Sequence, residues 1–310
     1  PATSTTPNWG VRQGLPRAAF AAVPASRLLA SLSWIARLVP AGELEDLVTS
    51  ADHTPRFYDH QYENFDSPLM GAVRAEAYGV DLGQHSWVDA GELRELVRWL
   101  AVSEASRLLD LGCGPCGPLT FVVGLAGCRA TGIDLSAAAL ASGMARAASR
   151  EIAHLIHLEV GDLDAPLPLG DRACDAAMCL DVVVHVRDRA QLFGEVSRTL
   201  APGGRFVFTD ACVLTGPISS EAVSARSAYG PTTFVPPSFN EQTLEDAGLR
   251  LLLKEDRTAT MLSNATGRLK ARVAFRSELE RLEGGAEFER QQRHLETVVD
   301  LSRRGSLRRM

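Results

Sequence analysis

The chain has 310 residues, of which 45% are hydrophobic and 23% are charged, so it is long and apolar enough to bury a substantial core. Its formal net charge is −6. An acidic balance argues against sequence-independent binding of nucleic acid, which needs a basic surface. We therefore expect a small-molecule partner and no nucleic acid.

The first part of the chain, residues 1–100, is interpreted as a helical extension and lid. Ala18–Val39 is apolar, but Pro24, Arg27 and Arg37 interrupt it, so we expect no membrane span. The segment also lacks the pattern of a signal peptide. These features favour a cytoplasmic protein, and the extension is a candidate surface for a homo-oligomer.

Six cysteines are present, and Cys113 and Cys116 have the spacing of a zinc pair. No second pair stands at a matching interval, and glycines surround these two. The sequence therefore favours reduced thiols and no metal site.

From Glu92–Leu100, an amphipathic helix, the chain continues into a region where apolar strands alternate with helices. The predicted strands are Arg107–Asp110, Arg129–Asp134, His157–Val160, Asp175–Leu180 and Arg205–Thr209, and the predicted helices are Pro118–Leu125, Ala137–Ser149 and one around Ala190–Leu200. Such alternation is typical of a parallel sheet covered by helices on both faces. We predict an α/β, Rossmann-like core over residues 101–212.

Beyond this core the alternation stops. Residues 213–248 are rich in proline and aromatic side chains and are interpreted as a substrate cap, with Tyr229, Phe234 and Phe239 as candidate pocket residues. In the C-terminal part, residues 249–310, we predict a sixth strand at Leu249–Glu255 and two amphipathic helices. The last residues, Gly305–Met310, are predicted to begin a seventh strand antiparallel to the fifth, or to place a short stub there.

Asp110 ends the first predicted strand and precedes a glycine-rich loop that contains Gly112 and Gly114. Glycine permits positive φ and a close approach of ligand to backbone. The Gly-x-Gly-x-x-Gly pattern also fits a dinucleotide site. However, Asp110 would repel a pyrophosphate, whereas it would attract the amine and sulfonium of S-adenosylmethionine. Alternatively, Asp110 caps the loop.

Two further acidic residues follow strands. Asp134 lies 20 residues beyond Gly114, where a carboxylate can accept the hydroxyls of a ribose; the alternative is a cap of the next helix. Asp162 follows the third strand and is placed to accept a hydrogen bond from an adenine amino group. An ordinary turn residue is the alternative.

These motifs, with Cys179-Leu180-Asp181 and Leu200–Gly204, resemble the successive motifs of class I S-adenosylmethionine-dependent methyltransferases of the small-molecule type, such as phosphoethanolamine, glycine/sarcosine and natural-product methyltransferases. The resemblance is strong over residues 105–210. It implies a lid in which Tyr58 and Trp87 contact the cofactor, while Tyr62 is expected to pack in the core. The cofactor contacts expected in total are Tyr58, Trp87, Asp110, Gly112, Cys113, Gly114, Asp134, Leu135, Asp162, Leu163 and Cys179.

The catalytic candidates are Asp181 and His185, which are four residues apart and would share a helical face. A histidine can remove a substrate proton near neutral pH. A purely structural histidine remains the alternative.

The expected function is O- or N-methylation of a small molecule, in natural-product biosynthesis among the options, with S-adenosylhomocysteine as the product. The alternatives are a cofactor-binding protein of the same fold with another activity and, less favoured, an NAD(P)-dependent oxidoreductase.

Overall fold

The short apolar strands assemble into a single parallel sheet in the computed structural model, which describes Asp59 and residues 62–310. In chain order the strands are β1 (Arg107–Leu111), β2 (Arg129–Asp134), β3 (Ile156–Val160), β4 (Cys174–Leu180) and β5 (Leu200–Thr209). They lie in the order β3-β2-β1-β4-β5, and every neighbouring pair is parallel. The predicted Rossmann-like sheet is confirmed.

Ten α-helices accompany the strands in the described part of the chain. They are α1 (Pro68–Tyr78), α2 (Ala90–Leu100), α3 (Gly117–Ala126), α4 (Ala137–Ser149), α5 (Arg189–Thr199), α6 (Ser220–Arg226), α7 (Phe239–Asp246), α8 (Thr258–Ala274), α9 (Arg276–Glu283) and α10 (Gly285–Arg304). Local signals set these bounds. The hydroxyl of Ser136, for example, accepts a hydrogen bond from Ala139 N at the start of α4.

Both faces of the sheet are covered. On one face Leu93 of α2, Leu119 of α3 and Leu140 of α4 pack in a core with strand residues such as Met178. On the other face α5 and α7 contribute Phe193 and Leu244, among others. A parallel sheet buried in this way explains why its central strands, β1 and β4, consist mostly of apolar residues.

A further core joins the segment after β5 to the C-terminal helices. It includes Trp87, Val184, Ile218, Met261 of α8 and Leu295 of α10. Since Val184 follows the end of β4, this core lies at the carboxyl edge of the sheet. These elements therefore form a helical cover over that edge.

The predicted sixth strand at Leu249–Glu255 is wrong. No strand is assigned there, and Leu251, Leu252 and Leu253 are 40%, 66% and 52% exposed. A run of leucines is not sufficient for a strand, because a strand needs a ladder of backbone bonds to a neighbour. A backbone hydrogen bond instead joins Arg257 N to the carbonyl of Arg309 just beyond this stretch.

The C-terminal residues do pair antiparallel, as predicted, but with the continuation of β5. Residues Val213–Leu214 (β6) pair with Leu307–Arg308 (β7). Asp210 and Met310 exchange two backbone hydrogen bonds of 3.0 Å each. The stub therefore lies beyond the end of β5 and holds the C-terminus against the core.

Residues 1–58 of the N-terminal extension, with Ala18–Val39 and Tyr58 among them, lie outside the described residues. Over the part of the chain that the structure does describe, none of the helices has the length and apolar character to cross a bilayer.

Candidate active site

A cleft opens where β1 and β4 end side by side. The sheet order reverses at this pair, because the chain passes from β1 outward to β2 and β3 and then returns to β4. Ligands of open α/β sheets bind at such a switch point, at the carboxyl ends of the strands. The cleft has a cavity volume of about 180 Å³. Residues that follow the strand ends line one side of it, and the helical cover lines the other.

The loop after β1 forms one wall of the cleft and depends on its glycines. Gly112 and Gly114 have φ of 73° and 51°. A Cβ at Gly112 would lie 2.4 Å from the side chain of Val182, so no larger residue fits there. The loop is held to β2 because the N–H groups of Gly112 and Cys113 donate to the carbonyl of Ile133. Gly112, Cys113 and Gly114 all line the cleft.

Asp110 places a buried carboxylate against the same wall, with only 3% of the residue exposed. Within the described residues it has no hydrogen-bond donor and no cationic partner. Burial, together with the nearby carboxylate of Asp134, raises the pKa of Asp110 well above its usual range. It therefore does not cap the loop, and a ligand with a positive charge would stabilise its ionised form.

Asp134, at the end of β2, lines the cleft, and Ser136, not Asp134, is the N-cap of α4. Its Oδ2 accepts a hydrogen bond from Gly114 N at 2.8 Å, and its Oδ1 accepts one from Ser136 N at 2.9 Å. Each carboxylate oxygen can accept a second bond. Asp134 therefore fixes the loop and can still receive two hydroxyl groups.

Leu135, Asp162 and Leu163 line the cleft beyond Asp134. Asp162 is exposed, and its Oδ1 accepts a hydrogen bond from Asp164 N at 2.9 Å, so it also closes a turn. Leu163 is buried and offers an apolar surface next to it. This end of the cleft can take a flat, partly polar ring.

Cys179 and Trp87, two of the expected cofactor contacts, lie on other elements than the glycine loop. Cys179 is fully buried among apolar residues of the sheet and does not line the cleft; Leu180, on the opposite face of the strand, does. Alternate residues of a strand point to opposite faces, so the side chain of Cys179 points away from the cleft. Trp87 lines the cleft, but from the helical cover: its ring stacks on His294 with centroids 6.2 Å apart.

Asp181 is engaged by an arginine rather than by the histidine. Its Oδ1 accepts hydrogen bonds from Arg309 Nε at 2.7 Å and Thr209 Oγ1 at 2.9 Å, and its Oδ2 accepts one from Trp87 N at 2.8 Å. Among the described residues no hydrogen bond or ion pair joins Asp181 to His185. Asp181 has φ of 60° and a short 3₁₀ turn follows it, so Asp181 and His185 do not share a face of an α-helix.

His185 does line the cleft, and a backbone carbonyl holds its ring. Nδ1 of His185 lies 2.8 Å from the carbonyl oxygen of Pro231. A carbonyl only accepts, so Nδ1 carries the proton in the neutral ring, and the basic lone pair is on Nε2. The segment after β5 thus selects the tautomer of His185.

The helical cover contributes residues to the cleft, and the sequence analysis did not predict that these residues lie together. Tyr229 was expected, whereas Tyr62 was expected in the core and also lines the cleft. Phe234 is buried in the core of the cover. The additional cleft residues are His85, Arg226, Arg268 and His294. Only His85, two residues before the predicted lid residue Trp87, had a signal nearby. The others come from helices with ordinary amphipathic patterns.

Comparison with known proteins agrees with this geometry. Residues 109–208 match the family described as "Methyltransferase domain". The chain is 27% identical over 201 residues to phosphoethanolamine N-methyltransferase 1 of Zea mays, covering 65% of this chain and 39% of that protein. It is 26% identical over 225 residues to glycine/sarcosine/dimethylglycine N-methyltransferase of Actinopolyspora halophila, covering 69% and 38%.

The chain thus spans less than half the length of these two relatives. Among solved structures, the cyclase SpnF superposes with a TM-score of 0.63 at 20% identity, over 83% of this chain and 94% of that one. At this identity the superposition shows the fold alone. Residues 109–208 are thus similar to a methyltransferase domain, and the order of the sheet is consistent with that similarity.

Proposed function

We propose that the chain is an S-adenosylmethionine-dependent methyltransferase that acts on a small molecule in the cytoplasm. The observation that carries the proposal is Asp110, a buried carboxylate that faces the cleft without a cation in the described structure. A buried anion of this kind is costly unless a positive charge arrives. The six cysteines are free thiols and buried, which favours a reducing compartment.

The residues on the glycine-loop side of the cleft fit S-adenosylmethionine. Asp110 would attract its cationic methionine part, and Gly112 and Gly114 would let it lie against the backbone. Asp134 would accept the ribose hydroxyls, and Asp162 with Leu163 would hold the adenine. When bound, S-adenosylmethionine supplies a methyl group on a sulfonium, and S-adenosylhomocysteine is the product.

His185 supports acid–base chemistry at the acceptor. Because Pro231 fixes the proton on Nδ1, Nε2 can accept a proton from an acceptor hydroxyl or amine. The carbonyl then stabilises the imidazolium, since Nδ1–H continues to donate to it. An oxygen or nitrogen acceptor, natural products included, suits this arrangement.

The helical cover would position the acceptor and exclude water. Trp87, Tyr229 and His294 form one aromatic wall, with Tyr229 and His294 centroids 4.7 Å apart. Positioning and exclusion of water are the main contributions that an enzyme makes to a methyl displacement. A walled cleft supports a small acceptor.

The rival proposal is a cofactor-binding protein of this fold that does not transfer methyl groups. The similarity of the fold to that of the cyclase SpnF supports this alternative. Binding of S-adenosylmethionine without release of S-adenosylhomocysteine across a panel of amines, phenols and carboxylic acids would favour it.

Calorimetry with S-adenosylmethionine and with NAD⁺ tests the cofactor assignment. We expect only the first to bind. Its affinity should rise with pH, because the raised pKa of Asp110 leaves the carboxyl protonated at lower pH and the cation binds its ionised form. Asp110→Asn should weaken binding on the order of tenfold to a hundredfold and remove this pH dependence.

Asp300→Asn makes the same change on an exposed face of α10 and should bind like the wild type. Binding of NAD⁺ but not of S-adenosylmethionine would overturn the cofactor assignment.

A further inference from the structure

The far side of the cleft, opposite the glycine loop, carries two arginines from different elements. Arg226 ends α6 and Arg268 lies in the middle of α8, and both line the cleft. The histidines His85 and His294 and the ring of Tyr229 lie between and around them. This cluster is not used by the cofactor-binding wall described above.

Arg226 is a buried cation with few partners. The residue is 4% exposed, and its Nη2 donates only a long hydrogen bond of 3.5 Å to the carbonyl of Ala211. Its Nε is buried without a partner. No carboxylate in the described part of the chain forms an ion pair with it. A buried guanidinium in this state is expensive unless an anion satisfies it.

Arg268 is held by rings rather than by an acid. Its Nη2 donates to the hydroxyl of Tyr229 at 3.3 Å. Its Cζ lies 5.2 Å from the ring centroid of Trp87 and 5.9 Å from that of Tyr229. Over the described ranges it too has no carboxylate partner. Aromatic rings orient a guanidinium but do not neutralise its charge.

The nearby carboxylates are already engaged. Asp181 pairs with Arg309, and Asp210 pairs with Arg189 at 2.6 Å. Neither is available to Arg226 or Arg268. The two charges on this side of the cleft are therefore not balanced by the protein residues that the structure describes.

The two histidines add no positive charge of their own near neutral pH. Burial, with a contribution from Arg268, lowers the pKa of His85 to about 3. Burial, with Arg226 and Arg268, lowers the pKa of His294 well below its usual range. Both rings are thus neutral and can donate or accept hydrogen bonds beside the arginines.

We propose that this cluster is the acceptor-anchoring site: Arg226 and Arg268 bind an anionic group of the methyl acceptor, a carboxylate or a phosphate. The inference rests on the proposed function, because it places the acceptor in the same cleft. The anchored anion would lie against Trp87 and Tyr229 and leave the rest of the acceptor directed towards His185. Guanidinium groups are well suited to both anions, since they offer paired N–H donors.

Titration calorimetry with inorganic phosphate, acetate and, as a cation, propylamine tests the site. The protein is used with saturating S-adenosylhomocysteine, so that the glycine loop is occupied, and again without it. We expect phosphate or acetate to bind and propylamine not to bind. The tighter of the two anions identifies the group that the acceptor carries.

Arg226→Gln and Arg268→Gln should each weaken the binding of the anion at least about tenfold, because each removes a charged donor. Arg226→Lys and Arg268→Lys, which keep the charge, should recover part of the affinity and cover the case in which a glutamine variant does not fold. Lys270→Gln makes the matched change on an exposed residue of α8 and should have no effect.

Three results would overturn the site: no anion binds, propylamine binds as well as the anions do, or the arginine variants bind anions like the wild type. Failure of S-adenosylhomocysteine to bind would instead count against the proposed function. The titration without it would still decide the arginine site.

Discussion

At the scale of single residues, His185 offers a test of acid–base catalysis. Its ring is fixed by Pro231, so removal of Nε2 should disturb the chemistry more than the structure. We expect His185→Gln to reduce methyl transfer on the order of 10²- to 10⁴-fold and to leave cofactor affinity nearly unchanged. Initial rates and calorimetry on the same preparation measure both.

His157→Gln is the matched control, because His157 is exposed on β3 and does not line the cleft. If His185→Gln retains the wild-type rate across the pH range, the histidine is structural. A loss of cofactor affinity equal to the loss of rate would mean that the ring only supports the cleft.

The sequence could identify one half of the site and not the other. Asp110, Gly112 and Asp134 were predictable because they belong to short motifs at strand ends, where the parallel topology brings them together. Arg226, Arg268 and His294 are not close in sequence, and three helices carry them to one cleft. A pattern within one helix does not indicate such a meeting, so these residues appeared only in the structure.

At the scale of elements, the start of α3 is packed against the segment around Gly83, which leads to the predicted lid residue Trp87. A Cβ at Gly117 would lie 2.3 Å from the carbonyl oxygen of Gly83, so Gly117→Ala must shift that segment. We expect weaker binding of S-adenosylhomocysteine and lower stability. A side chain at Gly124, on the same helix, would meet nothing within 4 Å.

Gly124→Ala should therefore stabilise the fold by up to about 1 kcal/mol, since alanine is the better helix residue, and leave binding unchanged. Thermal unfolding and calorimetry of the two variants check this contrast. If Gly117→Ala and Gly124→Ala have the same unfolding temperature and the same affinity, the backbone at Gly83 moves aside without a loss of stability or binding.

The five strands of the sheet were predictable because each is a local apolar run that ends in a turn signal. The sixth strand was not, because whether Leu249–Glu255 forms a strand depends on a neighbour that pairs with it. The C-terminal stub was predicted from the same logic of pairing, yet its partner is β6 beyond the end of β5. Local pattern predicts an element, but pairing across the chain decides whether it joins the sheet.

At the scale of the whole molecule, Arg309 joins the C-terminus to the edge of the cleft. The residue is fully buried and forms ion pairs with Asp181, after β4, and with Glu92 of α2. Asp181 in turn accepts from Trp87 N. One side chain near the C-terminus therefore links the sheet, α2 and the helical cover. Burial raises the pKa of Glu92, although Arg309 opposes this shift.

Arg309→Met should therefore destabilise the whole molecule, because it leaves the two carboxylates buried without their cation. Breaking a buried ion pair in this way costs on the order of 3–5 kcal/mol. Arg308→Met is the matched control: the Arg308 side chain is 40% exposed and pairs with Asp256 at the surface, where an ion pair is worth little. Urea denaturation should show a much lower midpoint for Arg309→Met only, together with weaker binding of S-adenosylhomocysteine, because Asp181, which accepts from Trp87 N, loses its cation. If both variants unfold at the same urea concentration, the buried cluster does not hold the cover to the sheet.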